Sequence, residues 1–392
     1  MSSRKAFRRA APLCAAVAAL TLVAVAAPAG ATEATETTPA TAAPAPAVPA
    51  VAAPAFPGRL YGVTAIAPSD VWAVGLTNGG TLELHYNGRK WTKYPVATGY
   101  FDGVASTSAK SVWAVGGTNW FSPSQTLAER WNGTRWTRVS TPNPPGGGYF
   151  NAVATTSAGN AWAVGLAGPG PGIVAPTTPL IEHWNGQRWS EQGVKPIPGG
   201  GLFAGVAATS ATNAWAVGQT GSTGQQTLIE HWNGTSWTRT PSPNVTGAGT
   251  SILKAVTAIS ADNAWAVGSA TMGGDQKALT MHWDGKRWTI VPGNTPGGDA
   301  GLLGVLATWT HNIWAVGIAN PSTCDHGGPK CQTLIEHWNS VRWKVLPSPN
   351  PPSGYLNLLW SASATSRDNI WAVGTTDYAS TLIVHWNGAA WS

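Results

Sequence analysis

The chain has 392 residues, of which 23 are lysine or arginine and 17 are aspartate or glutamate, so its formal net charge is +6. Four of the basic residues and none of the acidic ones lie before residue 32, and the rest of the chain is close to neutral. It has no basic cluster, which argues against a nucleic-acid-binding protein. It also contains no cofactor-binding motif, and we expect no cofactor.

The first segment, Met1–Ala31, has the pattern of a secretory signal peptide. It has a basic start, an apolar run from Ala10 to Ala27, and small residues at its end that suit cleavage. The alternative is an uncleaved membrane anchor, because the run is almost long enough to span a bilayer. We expect cleavage, and therefore a secreted protein, extracellular or associated with the cell wall, with no membrane attachment.

The composition of the rest of the chain divides it into two further regions. Residues 32–55 are almost entirely alanine, proline, threonine, valine and glutamate, which bury too little apolar surface to fold, so we predict a disordered linker. Residues 56–392 form one repeat domain that contains all the tryptophans.

The repeat is marked by the tetrapeptide Trp-Ala-Val-Gly, which recurs at intervals of 41 to 57 residues. Its seven copies start at Trp72, Trp113, Trp162, Trp215, Trp265, Trp314 and Trp371. Such periods are typical of stacked units that cannot bury their apolar faces alone.

Each copy contains four short β-rich runs separated by turn residues. Most copies carry Asn-Gly between the third and fourth runs, as at Asn233-Gly234, which indicates a tight hairpin. Four-stranded meanders repeated seven times predict an all-β protein, a seven-bladed β-propeller. A linear solenoid is the alternative. The chain ends early in the last fourth strand, so we expect the segment Val51–Phe56 to complete that blade and close the ring.

Most tryptophans occupy fixed positions of the repeat. Twenty of the 23 lie in the second, third or fourth run, and we predict that they pack between blades. Trp120, Trp309 and Trp360 fall outside the pattern. Trp120 and Trp309 are therefore candidate surface aromatics for ligand contact.

Histidines and glutamates also recur with the repeat. One histidine stands before the aromatic residue that ends the third run in six of the copies, as His231 does before Trp232. Groups spread one per blade cannot converge on a metal ion. We therefore assign them, with the glutamates that precede several of them, to structural roles, and we expect no metal.

Two cysteines, Cys324 and Cys331, lie in the long connection between the second and third runs of copy six. In an exported protein such a pair predicts a disulfide. The alternative is a metal site that also uses Asp325 and His326, which an oxidising location disfavours.

The first run carries one variable position followed by a small residue. The variable residues are Tyr61, Asp102, Asn151, Ala204, Lys254, Leu303 and Trp360. A small residue suits a crowded position near the propeller axis. If the variable neighbour points into the channel mouth, then Tyr61, Asp102, Asn151, Lys254 and Trp360 are the candidate ligand-binding residues. The alternative is that these side chains only line solvent.

The motif Asp70-Val-Trp-Ala-Val-Gly75, with the later Asn87-Gly88 and Lys90-Trp91, resembles the repeat of tectonin-type propellers and related repeats of secreted actinobacterial proteins. A looser likeness is to Asp-box and kelch-type propellers, although the aspartate and glycine of the Asp-box are mostly replaced here. The resemblance covers Leu60–Ser392. Tectonin-like propellers include glycan-binding lectins, so it implies the fold and, by analogy, carbohydrate binding.

The variable connections of a propeller lie on one face, and we expect function there. The leading hypothesis is a non-enzymatic, monomeric recognition module that binds an extracellular glycan or other polymer. A protein–protein scaffold is one alternative. A glycoside hydrolase or lyase is another, and it requires two carboxylates in one pocket. The acids on this face (Asp102, Asp275, Asp299, Asp325 and Asp377) are scattered over the copies.

Overall fold

The computed structural model describes residues 54–95, 97–119, 124–168, 177–221, 224–322, 330–352 and 354–392. The predicted signal peptide, most of the predicted linker, Trp120 and Cys324 lie outside these residues, so those predictions stay untested. Within the described ranges, no helix is both long and apolar enough to cross a membrane.

The described chain is almost entirely β-strand. The first strands of the repeats are β1 (Arg59–Ala67), β5 (Tyr100–Ser108), β9 (Gly148–Ser157), β13 (Gly201–Ser210), β17 (Thr250–Ser260), β21 (Ala300–Trp309) and β25 (Asn357–Ser366). The second strands are β2 (Asp70–Thr77), β6 (Ser111–Gly117), β10 (Asn160–Ala167), β14 (Asn213–Thr220), β18 (Asn263–Met272), β22 (Asn312–Ala319) and β26 (Asn369–Thr376).

The outer strands are shorter towards the rim. The third strands are β3 (Gly80–Tyr86), β7 (Thr126–Trp131), β11 (Thr178–Trp184), β15 (Gln226–Trp232), β19 (Asp275–Trp283), β23 (Gln332–Trp338) and β27 (Ser380–Trp386). The fourth strands are β4 (Trp91–Lys93), β8 (Trp136–Arg138), β12 (Trp189–Glu191), β16 (Trp237–Arg239), β20 (Trp288–Val291) and β24 (Trp343–Leu346). A short 3₁₀ turn, Pro296–Gly298, precedes β21.

The strands form seven antiparallel meanders, which we number as blades 1 to 7 in chain order. Six blades have four strands in sequence order, and blade 7 has three. Each first strand contacts the first strand of the next blade, and β25 contacts β1. The ring is therefore closed, which confirms the seven-bladed propeller and excludes the linear solenoid.

Ring closure uses the N-terminal segment together with the last residues of the chain. Trp391 bridges to Trp386, and Ser392 exchanges two backbone hydrogen bonds with His385, so these residues occupy the place of a fourth strand in blade 7. Phe56 lies beside the start of β27, where its carbonyl accepts from Thr381 N–H at 2.9 Å. Ala97 makes the same pair of contacts with Thr81 at the outer edge of blade 1, so Phe56 lies on the edge of β27 that a fourth strand uses, as expected for a segment that helps to close the ring. Residues 51–53 lie outside the described ranges.

The repeat tryptophans form the interfaces between blades. Trp162 of β10 stacks on His183 of its own blade with ring centroids 4.1 Å apart. It also packs against Trp232 at 4.9 Å and Trp237 at 5.1 Å, both in the next blade. All twenty repeat tryptophans are buried or half-buried, as predicted.

Five of the six recurring histidines contact the first residue of the second strand of their own blade. His183 Nε2 is 2.7 Å from Asn160 Oδ1, and His231 Nε2 lies at the same distance from Asn213 Oδ1. In blade 1 an aspartate, Asp70, takes the asparagine's place. These contacts orient five of the imidazoles against their tryptophans, which agrees with the predicted structural role. His385 also packs on its tryptophan, Trp371, but its Nε2 has no hydrogen-bond partner among the described residues.

Candidate functional site

Every first strand contains a β-bulge near its beginning. In blade 1, Leu60 pairs with Gly75 and Gly62 pairs with Val74, so Tyr61 is the extra residue without a partner on β2. The same register shift occurs in all seven blades. The extra residues are Tyr61, Asp102, Asn151, Ala204, Lys254, Leu303 and Trp360. The variable position of the repeat is therefore a bulge residue in every blade.

The glycine of Trp-Ala-Val-Gly is what permits this bulge. A Cβ added to Gly218 would overlap the carbonyl oxygen of Leu202 on the neighbouring strand, and the equivalent glycine of every other blade meets the same obstacle. Only glycine allows the two backbones to come this close. The repeat motif therefore encodes a bulge that leaves one residue of each first strand unpaired near the channel.

The small residue that follows each bulge faces the next blade. A Cβ on Gly103 would lie 2.8 Å from the Cα of Ala152, and one on Gly205 would lie 2.9 Å from the Cα of Ala255. The first strands thus approach too closely for larger side chains. This contact confirms the prediction of a crowded position near the axis.

Five of the seven bulge residues line a cavity of about 220 Å³ at the axial channel. We call this cavity the channel mouth. Of the predicted binding residues, Tyr61, Asp102, Asn151 and Trp360 line it. Lys254 occupies the equivalent bulge on β17 but is not among the lining residues. The structure therefore brings four of the five candidates together.

Asp102 is the carboxylate that lines the channel mouth among the described residues. Burial among the first strands raises the pKa of Asp102 to about 8. No described residue donates a hydrogen bond to its carboxylate. Asp102 is therefore largely protonated at neutral pH and has unused hydrogen-bonding capacity.

The other polar groups of the mouth are partly engaged. Asn151 Nδ2 donates to the carbonyl of Phe203 at 2.7 Å, which leaves its side-chain oxygen for other contacts. Trp360 Nε1 is buried and has no hydrogen-bond partner among the described residues. Its ring meets that of Tyr61 edge-on, with centroids 5.5 Å apart. The mouth thus combines an aromatic wall with spare hydrogen-bond acceptors.

A group of residues outside the mouth, at the junction of blades 7 and 1, was not found from the sequence. The Arg59 guanidinium lies 4.6 Å from the centre of the Tyr378 ring, and Arg59 Nε donates to Tyr378 O at 2.8 Å. Arg59 also hydrogen-bonds Tyr61, which connects this group to the mouth. Tyr378 and Tyr355 are 44% and 52% exposed. We call Arg59, Tyr355 and Tyr378 the aromatic rim.

Tyr378 adopts a backbone conformation that is rare for a bulky residue. Its φ is 53°, in the left-handed region, and it lies in the tight connection between β26 and β27. Glycine or asparagine is the usual residue there, so a tyrosine marks a functional candidate. The sequence signal for this candidate is the pair Asp377-Tyr378, which puts a tyrosine where a tight turn usually has glycine or asparagine.

The remaining candidates lie elsewhere. Trp309 is 70% exposed, at the far end of β21 from the bulge residue Leu303, and so on the opposite face from the mouth. Cys331 is fully buried, but its predicted partner lies outside the described residues, so the disulfide stays a prediction. Within the described residues, no group of three or more potential metal ligands is assembled.

Two acids named for a hydrolase site have structural partners. Asp299 accepts the backbone N–H groups of Gln276 at 2.9 Å and Ser322 at 2.7 Å. Asp377 accepts those of Tyr355 and Leu356, both at 2.8 Å. Neither lines the channel mouth.

The fold is shared with propellers of very different sequence. YCF48 bound to D1 peptide is 15% identical, covers 88% of this chain and 99% of its own, and superposes with a TM-score of 0.52. The WD40 propeller domain of Doa1 is 10% identical, with coverages of 83% and 93% and a TM-score of 0.54. These likenesses bear on the fold alone.

A fungal fucose lectin from Aleuria aurantia, with six blades, is a looser match. It is 12% identical, covers 76% of this chain and 97% of its own, and has a TM-score of 0.45, too low to bear on binding. No protein-family model and no curated protein sequence matches the chain. The tectonin-type likeness therefore stays a resemblance.

Proposed function

We propose that this protein is an exported, non-enzymatic recognition module that binds a glycan at the channel mouth and the aromatic rim. The observation that supports it most is the bulge, which places non-repeating residues of five blades around a common cavity. A wall of Tyr61 and Trp360 suits the apolar face of a sugar ring, and Asp102 and Asn151 suit its hydroxyl groups.

The aromatic rim extends this surface outwards. Tyr378 and Tyr355 expose flat rings beside the blade that carries Trp360, so a chain whose end enters the mouth has further residues to stack on. The mouth has one carboxylate among its described lining residues, which favours binding over glycoside hydrolysis, since the latter uses two. Export rests on the predicted signal peptide.

A protein scaffold is less well supported. Its expected sign is an extended apolar patch on one face. The large apolar side chains that are exposed among the described residues are instead spread over different parts of the molecule. They are Ile290, Trp309, Val341, Val345, Tyr355 and Tyr378.

The proposal is tested by a binding screen of the purified protein against soluble and insoluble cell-wall glycans. Tyr378→Gly removes a ring at a position whose φ favours glycine, so the fold is retained. Trp360→Ala removes the wall of the mouth. We expect each variant to lose at least tenfold in affinity, and the control Trp309→Ala on the opposite face to bind normally.

Unchanged binding in both Tyr378→Gly and Trp360→Ala would contradict this location. A protein that binds no glycan but retains a polypeptide partner would favour the scaffold.

A further inference from the structure

Three tyrosines of the first strands are close enough to Asp102 to be affected by its charge, and no cation of the described residues shifts the pKa of Asp102. Tyr61 on β1, Tyr100 on β5 and Tyr149 on β9 are the titratable groups whose pKa is raised by burial and, further, by the charge of Asp102. Burial alone accounts for the raised pKa of Asp102, with no contribution from an arginine or lysine. Its carboxylate thus faces the cavity without a compensating positive charge in the described chain.

The first strands carry two basic residues, Arg59 and Lys254, and neither has a described contact with Asp102. Arg59 is engaged with Tyr61 and Tyr378 at the rim. Lys254 is on β17, three blades along the ring from β5, and does not line the cavity. A positive group that reaches Asp102 must therefore come from the ligand.

The cavity walls also favour a cation. The rings of Tyr61 and Trp360 border the same space and supply π-electron density, which attracts ammonium groups. The volume of about 220 Å³ is below the roughly 300 to 1,000 Å³ of sites for drug-sized ligands, so one ring of a polymer fits there.

We propose, building on the function proposed above, that the channel mouth takes a protonated amine and that the bound glycan carries free amino sugars. The ammonium group pairs with Asp102, while the sugar ring lies against Trp360 and Tyr61. The following sugars pass over the exposed rings of Tyr355 and Tyr378. These exposed rings favour an amino-sugar polymer over a lysine side chain, which needs no such stacking surface.

The experiment uses the purified protein with a short glucosamine oligomer and with the same oligomer N-acetylated. We expect the free-amine oligomer to bind at least tenfold more tightly, and Asp102→Asn to abolish this preference. An asparagine is tolerated at this position, because Asn151 occupies the equivalent bulge of the next blade. Trp309→Ala is the matched control and should keep the preference.

The pH dependence gives a second, independent readout. The pKa of Asp102 is about 8 in the free protein, so pairing with an ammonium group expels a proton. Between about pH 5.5 and 7 the affinity for the amine should therefore rise by close to tenfold per pH unit. A neutral sugar that accepts a hydrogen bond from protonated Asp102 shows no such rise. Calorimetry in two buffers of different ionisation enthalpy should record the released proton in the wild type and not in Asp102→Asn.

The outcomes separate this inference from the function on which it rests. Equal binding of both oligomers, with loss in Trp360→Ala, would overturn the amine preference and leave glycan recognition in place. Tighter binding of a lysine-rich peptide than of the glucosamine oligomer would overturn the assignment to a glycan. If neither oligomer binds, the proposed amino-sugar ligand is also overturned. The binding of other glycans in the screen then decides whether the protein recognises glycans at all.

Discussion

At the scale of single residues, two glutamates of the third strands show how burial and pairing differ. Glu230 is fully buried and bonds Arg239 at 2.9 Å. Glu182 occupies the same place in blade 3, but its cross-strand neighbour is Glu191 and neither of its oxygens has a described partner. Burial, and then the charge of Glu191, raise the pKa of Glu182 to about 9. Glu182 is therefore a neutral acid in the folded protein at physiological pH.

This state of Glu182 predicts a pH dependence of stability. Its pKa is raised in the folded state, so its contribution to stability is complete below the unfolded pKa of about 4.5 and is lost as the pH rises towards about 9. We expect the free energy of unfolding to fall over this range, and to fall less in Glu182→Gln. Urea denaturation at several pH values measures this.

The matched control is Glu230→Gln. This variant loses the contact between the buried Glu230 carboxyl group and Arg239 Nε, so it should be destabilised near pH 7. Identical pH profiles for the wild type and Glu182→Gln would show that Glu182 does not carry the effect.

At the scale of elements, the bulge links the core motif to the binding surface. At the bulge, the first strand leaves one residue without a partner on the second strand. The glycine of Trp-Ala-Val-Gly on the second strand allows the two backbones to come close enough for this. The tryptophan three residues before that glycine packs the same strand against the next blade. Core packing and the presentation of the mouth residues thus depend on one tetrapeptide.

A substitution in this device tests it. Gly218→Ala should destabilise the protein by at least about 1 to 3 kcal/mol, because the new Cβ overlaps the backbone of Leu202 and neither strand can move freely. Gly193→Ala is the control. Its added Cβ meets nothing within 4 Å, and the change should stay within about 0.5 kcal/mol. Equilibrium denaturation measures the free energy of unfolding of both variants. Equal stabilities would refute the steric role of Gly218.

At the scale of the whole molecule, the ring closes between blades 7 and 1 in the same way as elsewhere. Trp371 of blade 7 packs on Tyr86 and Trp91 of blade 1, with centroids 5.0 and 5.5 Å apart. Phe56 N–H donates to Thr381 Oγ1 at 2.9 Å. The difference is that the chain is continuous at every other junction and discontinuous here, so this junction depends on non-covalent contacts.

The loss of one hydrogen bond should therefore destabilise this junction more than any other junction between blades. Thr381→Val deprives Phe56 N–H of its acceptor and should cost about 1 to 2 kcal/mol. It should also speed amide hydrogen exchange in β1 and β27. Thr81→Val removes the equivalent contact with Ala97, also 2.9 Å, at the junction of blades 1 and 2. We expect amide hydrogens near that junction to exchange more slowly in Thr81→Val than those of β1 and β27 do in Thr381→Val. Equal exchange rates in the two variants would contradict a special role for the junction where the ring closes.

The sequence by itself determined the number of blades, their four-stranded meanders and the buried tryptophans, because a pattern repeated seven times leaves few ways to cover its apolar faces. It also located the variable position of the first strand, and four of the five candidate residues proved to line one cavity.

Only the tertiary structure decided the rest. The bulge depends on hydrogen-bond register between strands, which periodicity does not report. The hydrogen bond between Phe56 and Thr381 joins residues 325 positions apart. The aromatic rim arises because closure brings Arg59 against Tyr378, a contact between the two ends of the domain that no local pattern encodes. The lack of a cation beside Asp102 among the described residues is likewise a property of the assembled ring, since it depends on the positions of side chains from several blades.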